Sequence, residues 1–308
     1  MTPLGSDVRE CVTRAGLDVA EVERVIRVAL DEDLRDGPDL TTTACIPAEA
    51  VASATFVTRD AGVLAGLDVA LMVFELAGGG DESGAAAAPA ADVIVSSRPA
   101  RDGDRVTPGQ SLLTVSGSLA TILTAERTAL NLLCHLSGIA TLTRAWVEAV
   151  AGTRAKIRDT RKTTPGLRSL EKYAVRCGGG VNHRMSLGDA VLIKDNHVAG
   201  AGSVAAAVAA VRALGAAVPV EVECDTLDQV AQALAAGVGE ILLDNFAPER
   251  LGAAVELVAG RAVLEASGGL RLERAAAVAA TGVDYLAVGA LTHSASALDV
   301  GLDLAGAG

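Results

Sequence analysis

The sequence predicts an α/β protein: an incomplete (β/α) barrel preceded by an N-terminal α+β domain of sandwich-like character. Three observations carry that prediction. From about residue 155 onward, short apolar runs alternate with Ala-rich helical segments at roughly the spacing of a βα unit. Each run is followed at once by polar residues, the pattern of parallel folds that carry a site at the C-terminal ends of their strands. Before residue 155 the texture is different, with helical stretches set around short β-rich runs and turn signals. The repeating half contains six runs and not eight, so the barrel is expected to be incomplete.

Taken in order, residues 6–35 read as helix, with Val19, Val22, Val25, Ile26 and Ala29 on one face among charges. Ala54–Thr58, Val93–Ser97 and Ser111–Val115 read as strands, with turns at Asp102-Gly103 and Pro108-Gly109. Leu64–Leu76 between them reads as helix, and Gly78–Ala91 as a low-complexity surface loop. Thr121–Val150 is a long helix. The six barrel runs are Ala155–Arg158, Ala190–Ile193, Val220–Val222, Glu240–Leu243, Ala262–Leu264 and Tyr285–Val288. The expected domains are 1–137 and 138–293, with a C-terminal tail, 294–308, returning to the first.

Composition narrows the function. The 308 residues carry a formal charge of −12 and only 2% aromatics, which argues against a nucleic-acid binder. No apolar run reads as a membrane span: residues 198–222 are Ala-rich but interrupted by Arg212 and Pro219. Five scattered cysteines without a CxxC, and no signal-like N-terminus, fit a reducing cytoplasm. DGDRVTPGQSLLTVSG is similar to the hairpin turns of lipoyl-type carrier domains, but no lysine precedes Lys156 to serve as an attachment point. The charge is also uneven. Arg154 to Lys194 holds ten Lys/Arg against three acids, including all four lysines of the chain. That segment suits a small, strongly anionic ligand in a protein whose remainder would repel a polyanion.

The polar strand ends supply the candidate site. Asp159-Thr-Arg-Lys-Thr-Thr-Pro-Gly166 offers a guanidinium fork for carboxylate and an ammonium for phosphate, or else is an exposed turn. Gly178-Gly-Gly-Val-Asn-His-Arg184 sets His183 and Arg184 beside flexible backbone donors. Glu223 and Asp244 end consecutive strands and suit ribose hydroxyls or Mg²⁺, or salt bridges to Lys194 or Arg161. Ser267-Gly268-Gly269 and Gly289-Ala290 end the last two strands and suggest a phosphate cup of backbone amides before helix N-termini. Cys177 and Cys224 lack an evident base and read as packing residues. These features describe a barrel enzyme holding a phosphosugar and a second anion on a cationic floor.

At this point a resemblance becomes specific. Glu32-Asp-Leu, Asp39-Leu-Thr-Thr42, Ala125-Glu-Arg-Thr-Ala-Leu-Asn-Leu-Leu133, Ser137-Gly-Ile-Ala-Thr141, the block DTRKTTPGLRSLEKYAVRCGGGVNHRMSLGDAVLIKDNH (159–197), EVEC (221–224), LLDNF (242–246), EASGG (265–269) and VGALTHS (288–294) resemble the quinolinate phosphoribosyltransferase family. The resemblance runs from about residue 24 to the C-terminus. It departs at Pro38 and in the Ala-rich 78–91 segment. It implies transfer of the phosphoribosyl group of phosphoribosyl pyrophosphate to quinolinate with decarboxylation, giving nicotinate mononucleotide, pyrophosphate and CO₂ in NAD biosynthesis. It implies that Arg127, Thr160, Arg161, Lys162, His183, Arg184 and Lys194 receive quinolinate. It further implies that Glu223, Asp244, Ser267, Gly268, Gly269, Gly289 and Ala290 receive phosphoribosyl pyrophosphate. Lys162, Lys194, Glu223 and Asp244 are the catalytic candidates, with Glu223 and Asp244 also addressing Mg²⁺. A homodimer with shared sites, or a higher oligomer, is the expected assembly. The competing readings are a same-fold paralogue acting on another anion and a non-catalytic phosphosugar-binding barrel.

Overall fold

A computed structural model describes residues 2–3, 5–78, 93–215 and 218–305. They fall into two units, Met1–Leu142 with Thr164–Gly178 and Ala295–Gly308, and Thr143–Thr163 with Gly179–Ser294. Most of the expected 78–91 loop lies outside the described residues. No described helix is long and apolar enough to cross a membrane.

The elements up to the barrel are β1 (Thr2–Pro3), α1 (Gly5–Arg14), α2 (Val19–Leu34), α3 (Leu40–Cys45), β2 (Val51–Thr58), β3 (Gly62–Val63), α4 (Leu67–Gly78), β4 (Ile94–Ser97), β5 (Arg105–Val106), β6 (Ser111–Ser118) and α5 (Leu119–Ala149). The helix expected over 6–35 is two helices. Gly16 takes a left-handed φ of +73°, and the Asp18 carboxylate then accepts the Glu21 N–H to start α2. The expected 64–76 helix begins at Leu67, because Gly66 turns at φ +100° and Asp102 accepts the N–H groups of Gly66 (2.8 Å) and Leu67 (3.0 Å). Phe56 and Phe74 meet edge to face at 5.9 Å in the core of this unit.

After α5 come β7 (Lys156–Arg158), α6 (Arg168–Cys177), β8 (Val191–Ile193), α7 (Asp195–Ala201), α8 (Val204–Ala213), β9 (Val220–Cys224), α9 (Leu227–Ala235), β10 (Glu240–Asp244), α10 (Pro248–Val258), β11 (Val263–Ser267), α11 (Ala275–Ala279), β12 (Tyr285–Ala287), α12 (Ala290–His293) and β13 (Val300–Leu304). In the first unit, β13 joins the antiparallel sheet β1-β4-β6-β2-β13. In the second unit the six strands form one parallel sheet in the order β7-β12-β11-β10-β9-β8. The two edges, β7 and β8, do not pair, so the sheet is an open barrel.

Alternation along these strands places the site. In β9, Val222 and Cys224 are fully buried on one face, and Glu221 and Glu223 project from the other. In β10 and β11 the register sets Glu240 beside Glu221, Leu242 beside Glu223 and Glu265, and Asp244 beside Ser267. One face of the sheet is therefore apolar, while the other carries acids and Arg158.

Candidate active site

A cavity of about 540 Å³ opens at the C-terminal strand ends of the second unit. The residues after β7 supply Thr160, Arg161 and Lys162, and Lys194 follows β8 directly. The 179–190 segment supplies His183 and Arg184. Glu223, Asp244, Ser267, Gly268 and Gly269 complete the sequence-predicted set lining it. A second cavity of about 200 Å³ shares Thr160, Lys162 and Ser267–Gly269 and is also lined by Gly289 and Ala290. Arg127 is the exception among the sequence-predicted residues. It is exposed on α5 in the first unit and is not among the lining residues of this cavity.

Lys194 Nζ donates to Glu223 Oε2 at 2.8 Å, so the salt bridge and the site reading of Glu223 describe the same residue. Asp244 Oδ2 accepts from the Asn245 side-chain amide at 2.7 Å. Glu223 and Asp244 stand on adjacent strands and offer oxygen donors alone, the ligand chemistry that Mg²⁺ takes alongside phosphate. Among the described residues, the group compact enough to gather three metal-ligand atoms is a different one: His183, Glu221 and Glu265.

The glycine turns are built by close approach. Gly268 has φ +89°, and a Cβ there would stand 2.3 Å from Asn245 Oδ1 and 2.8 Å from Asn245 N. Asn245 itself is left-handed at φ 56°, and its N–H donates to Ser267 O at 2.9 Å. A Cβ on Gly289 would meet Lys162 Cδ at 2.9 Å, so glycine lets the lysine stem pass. The helix expected directly behind these turns is met at Gly289 but not at Gly269. Only the four-residue α12 follows Gly289, and α11 starts six residues after Gly269. The donors offered are individual N–H groups, with little helix dipole behind them.

Electrostatics divide the site into a cationic mouth and an acidic interior. Burial and the adjacent Arg161 lower Arg184 below the usual guanidinium value. Beneath, Arg158 donates to Glu265 at 2.7 Å, pairs with Glu240, and lies over the Tyr285 ring at 4.2 Å. Burial and then Glu240 push Glu221 up to about 8. Burial and then Glu221 push Glu265 up to about 7. Burial raises both Cys177 and Cys224 to about 12, so neither is a thiolate near neutrality.

Sequence reasoning passed over Glu265, Asn245 and His293, all of which line these cavities. Each stands inside a motif singled out there, EASGG, LLDNF and VGALTHS. The lysine pattern is only half explained by the site. Lys162 and Lys194 line the cavity, but Lys156 is exposed at the start of β7 and Lys172 is fully buried on α6.

An open parallel barrel whose strand ends present clustered cations, paired carboxylates and glycine turns defines a protein that takes small polyanionic substrates. The particular family follows from comparison. Residues 139–303 match the quinolinate phosphoribosyl transferase C-terminal domain, and residues 39–137 match the N-terminal domain of the same family. The chain belongs to the quinolinate phosphoribosyl transferase family. It is 56% identical over 282 residues to the nicotinate-nucleotide pyrophosphorylase [carboxylating] of Mycobacterium leprae (strain TN), covering 91% of this chain and 95% of that protein. It is 41% identical over 274 residues to a probable enzyme of that name from Bacillus subtilis (strain 168), covering 89% and 90%. The crystal structure of NadC from Streptococcus pyogenes superposes with a TM-score of 0.84 at 42% identity, covering 94% of this chain and 98% of that one.

Proposed function

We propose that the chain transfers the phosphoribosyl group of phosphoribosyl pyrophosphate to quinolinate with loss of CO₂, giving nicotinate mononucleotide and pyrophosphate. The observation that carries this reading is convergence: Arg161, Lys162, Arg184 and Lys194 reach one cavity from three separate segments. Glu223, Asp244 and a glycine turn line the same space.

A dicarboxylate is matched by several cations. Arg161 and Arg184 receive it as planar forks and Lys194 as a point charge, with Thr160 and His183 at its edge. Glu223 and Asp244 hold the ribose hydroxyls, and the amides of Ser267–Gly269, Gly289 and Ala290 hold the 5′-phosphate. Glu223 and Asp244 would hold Mg²⁺, which when bound would supply counter-charge to the pyrophosphate. As the C1′–oxygen bond breaks, the ribosyl centre gains positive charge and pyrophosphate takes the electron pair. Lys162 stabilises that departing charge, and the fixed geometry presents the pyridine nitrogen to C1′. The ribosylated ring is then a pyridinium, whose positive nitrogen stabilises the electron pair left on C2 when the 2-carboxylate departs as CO₂, and a proton taken up from solvent at C2 completes nicotinate mononucleotide. Arg127 reaches a site by dimerisation, each two-fold pair sharing two sites, and the reaction belongs to the cytoplasm, in keeping with five free cysteines.

The test is turnover of quinolinate with phosphoribosyl pyrophosphate, following nicotinate mononucleotide and CO₂ in equal amounts. Nicotinic acid should not substitute, since a monocarboxylate leaves a desolvated cation unpaired. Comparable rates with nicotinic acid overturn the reading.

A further inference from the structure

We propose that Glu221 is a positioning residue for the quinolinate end of this site: from inside the barrel its carboxylate holds the His183 ring, and with it the start of the Arg184 backbone, where the dicarboxylate is received. The inference rests on the reading given under Proposed function.

The reason lies in the open sheet. β7 and β8 are its two unpaired edges, and the segment 179–190 meets β7 through the isolated parallel bridge of Val181 to Arg158. His183 and Arg184 therefore sit on irregular backbone that no strand ladder fixes, and side chains must anchor it. Buried Asp159 grips the main chain: its Oδ1 accepts the His183 N–H at 2.8 Å and its Oδ2 accepts the Asn182 amide at 2.5 Å. Asp189 accepts the Met185 N–H at 2.6 Å further along. Glu221 does something else. It is 3% exposed, and its Oε2 lies 2.8 Å from His183 Nε2. The other ring nitrogen, Nδ1, accepts the Arg184 N–H at 2.7 Å. The ring is thus a strut between a rigid strand and the backbone of a substrate-facing arginine.

His183, Glu221 and Glu265 are close enough together to suit a metal ion. The Arg158 guanidinium, 2.7 Å from Glu265 and paired with Glu240, already supplies the counter-charge there. A divalent cation would sit against that guanidinium, and the cluster is better described as an ionic scaffold.

The test compares Glu221→Ala with Glu221→Gln in the full chain. Glutamine can still accept a hydrogen bond from Nε2. Removing a group that orients a ligand-binding side chain typically weakens binding by about 10- to 100-fold, and that rise is expected in KM for quinolinate with alanine. KM for phosphoribosyl pyrophosphate should stay nearly constant, and glutamine should recover most of the quinolinate KM. His183→Ala should also absorb the effect, so that adding Glu221→Ala to it changes little further. If the alanine variant fails to fold, quinolinate titration of Glu221→Gln against His183→Ala by calorimetry carries the test. Glutamine binding as poorly as His183→Ala overturns the proposal. So do an equal rise in both KM values, full additivity with His183→Ala, and a divalent ion retained stoichiometrically by wild type and lost in Glu221→Ala. A wild-type chain that does not turn over quinolinate defeats the functional reading itself; an active wild type without the selective effect defeats only this inference.

Discussion

Lys162 and Lys194 are exposed at the ends of different strands, so truncating either removes charge from the cavity without opening a core. Lys162→Ala is expected to lower kcat/KM by about 100-fold or more while the melting temperature holds within about 2 °C. Lys194→Ala should behave alike, although it also takes from Glu223 the ammonium that pairs with it. A large fall in melting temperature with near-normal turnover would make these lysines structural. Glu265 gives a pH prediction. Burial and then Glu221 raise its carboxyl, ordinarily near 4.5, to about 7 against the opposing pull of His183 and Arg158. A raised acid favours the folded state while protonated: its contribution is full below 4.5 and is lost as pH climbs through about 7. Glu265→Gln, which keeps a neutral side chain at every pH, should therefore flatten the fall in thermal stability between about pH 5 and 8. Identical pH profiles for the two proteins would show that Glu265 does not titrate in this window.

The turns at the ends of β10 and β11 interlock, and glycines separate sharply by what surrounds them. Gly268→Ala forces a left-handed alanine against the Asn245 backbone and side chain. A loss of about 1–3 kcal/mol is expected, with weakened binding of phosphoribosyl pyrophosphate. At Gly252, inside α10, an added Cβ would meet nothing within 4 Å. Its replacement by alanine should stabilise by about 0.5–1 kcal/mol in chemical denaturation. Equal effects at both positions would contradict the geometry. What could be read from the sequence follows the same division between local and distant causes. Periodicity announced all six barrel strands within a residue or two at their starts, because each is bounded by its own turn residues. The polar ends announced Arg161, Lys162, Lys194, Glu223 and Asp244 because each directly follows or closes an apolar run. The split of the first helix at Gly16 and Asp18 was also locally encoded, but strong amphipathic spacing on either side masked it. The start of α4 was not locally encoded, since its capping carboxylate is Asp102, 35 residues beyond Leu67. The interior acids Glu221 and Glu265 were visible only as alternation within EVEC and EASGG, and nothing local says which face of a strand turns inward.

On the scale of the whole molecule, Arg127 poses the sharpest question. If two chains share each site, Arg127→Ala and Lys162→Ala are both nearly inactive alone, yet mixing them restores function. After dissociation and random two-fold reassembly, about a quarter of all sites should be intact. No recovery, with mixed dimers confirmed by mass, would remove Arg127 from any shared site. The return of β13 to the first unit sets a different kind of order. All five of its residues pair with β2, Leu298 donates to Cys134 O, and the backbone at Ser296 packs against Gly138 in α5. During synthesis, the strands of the second unit leave the ribosome before the sheet of the first unit has received its edge. The domain translated first is thus completed last, and until residues 300–304 emerge β2 presents an open strand edge to every neighbouring nascent chain.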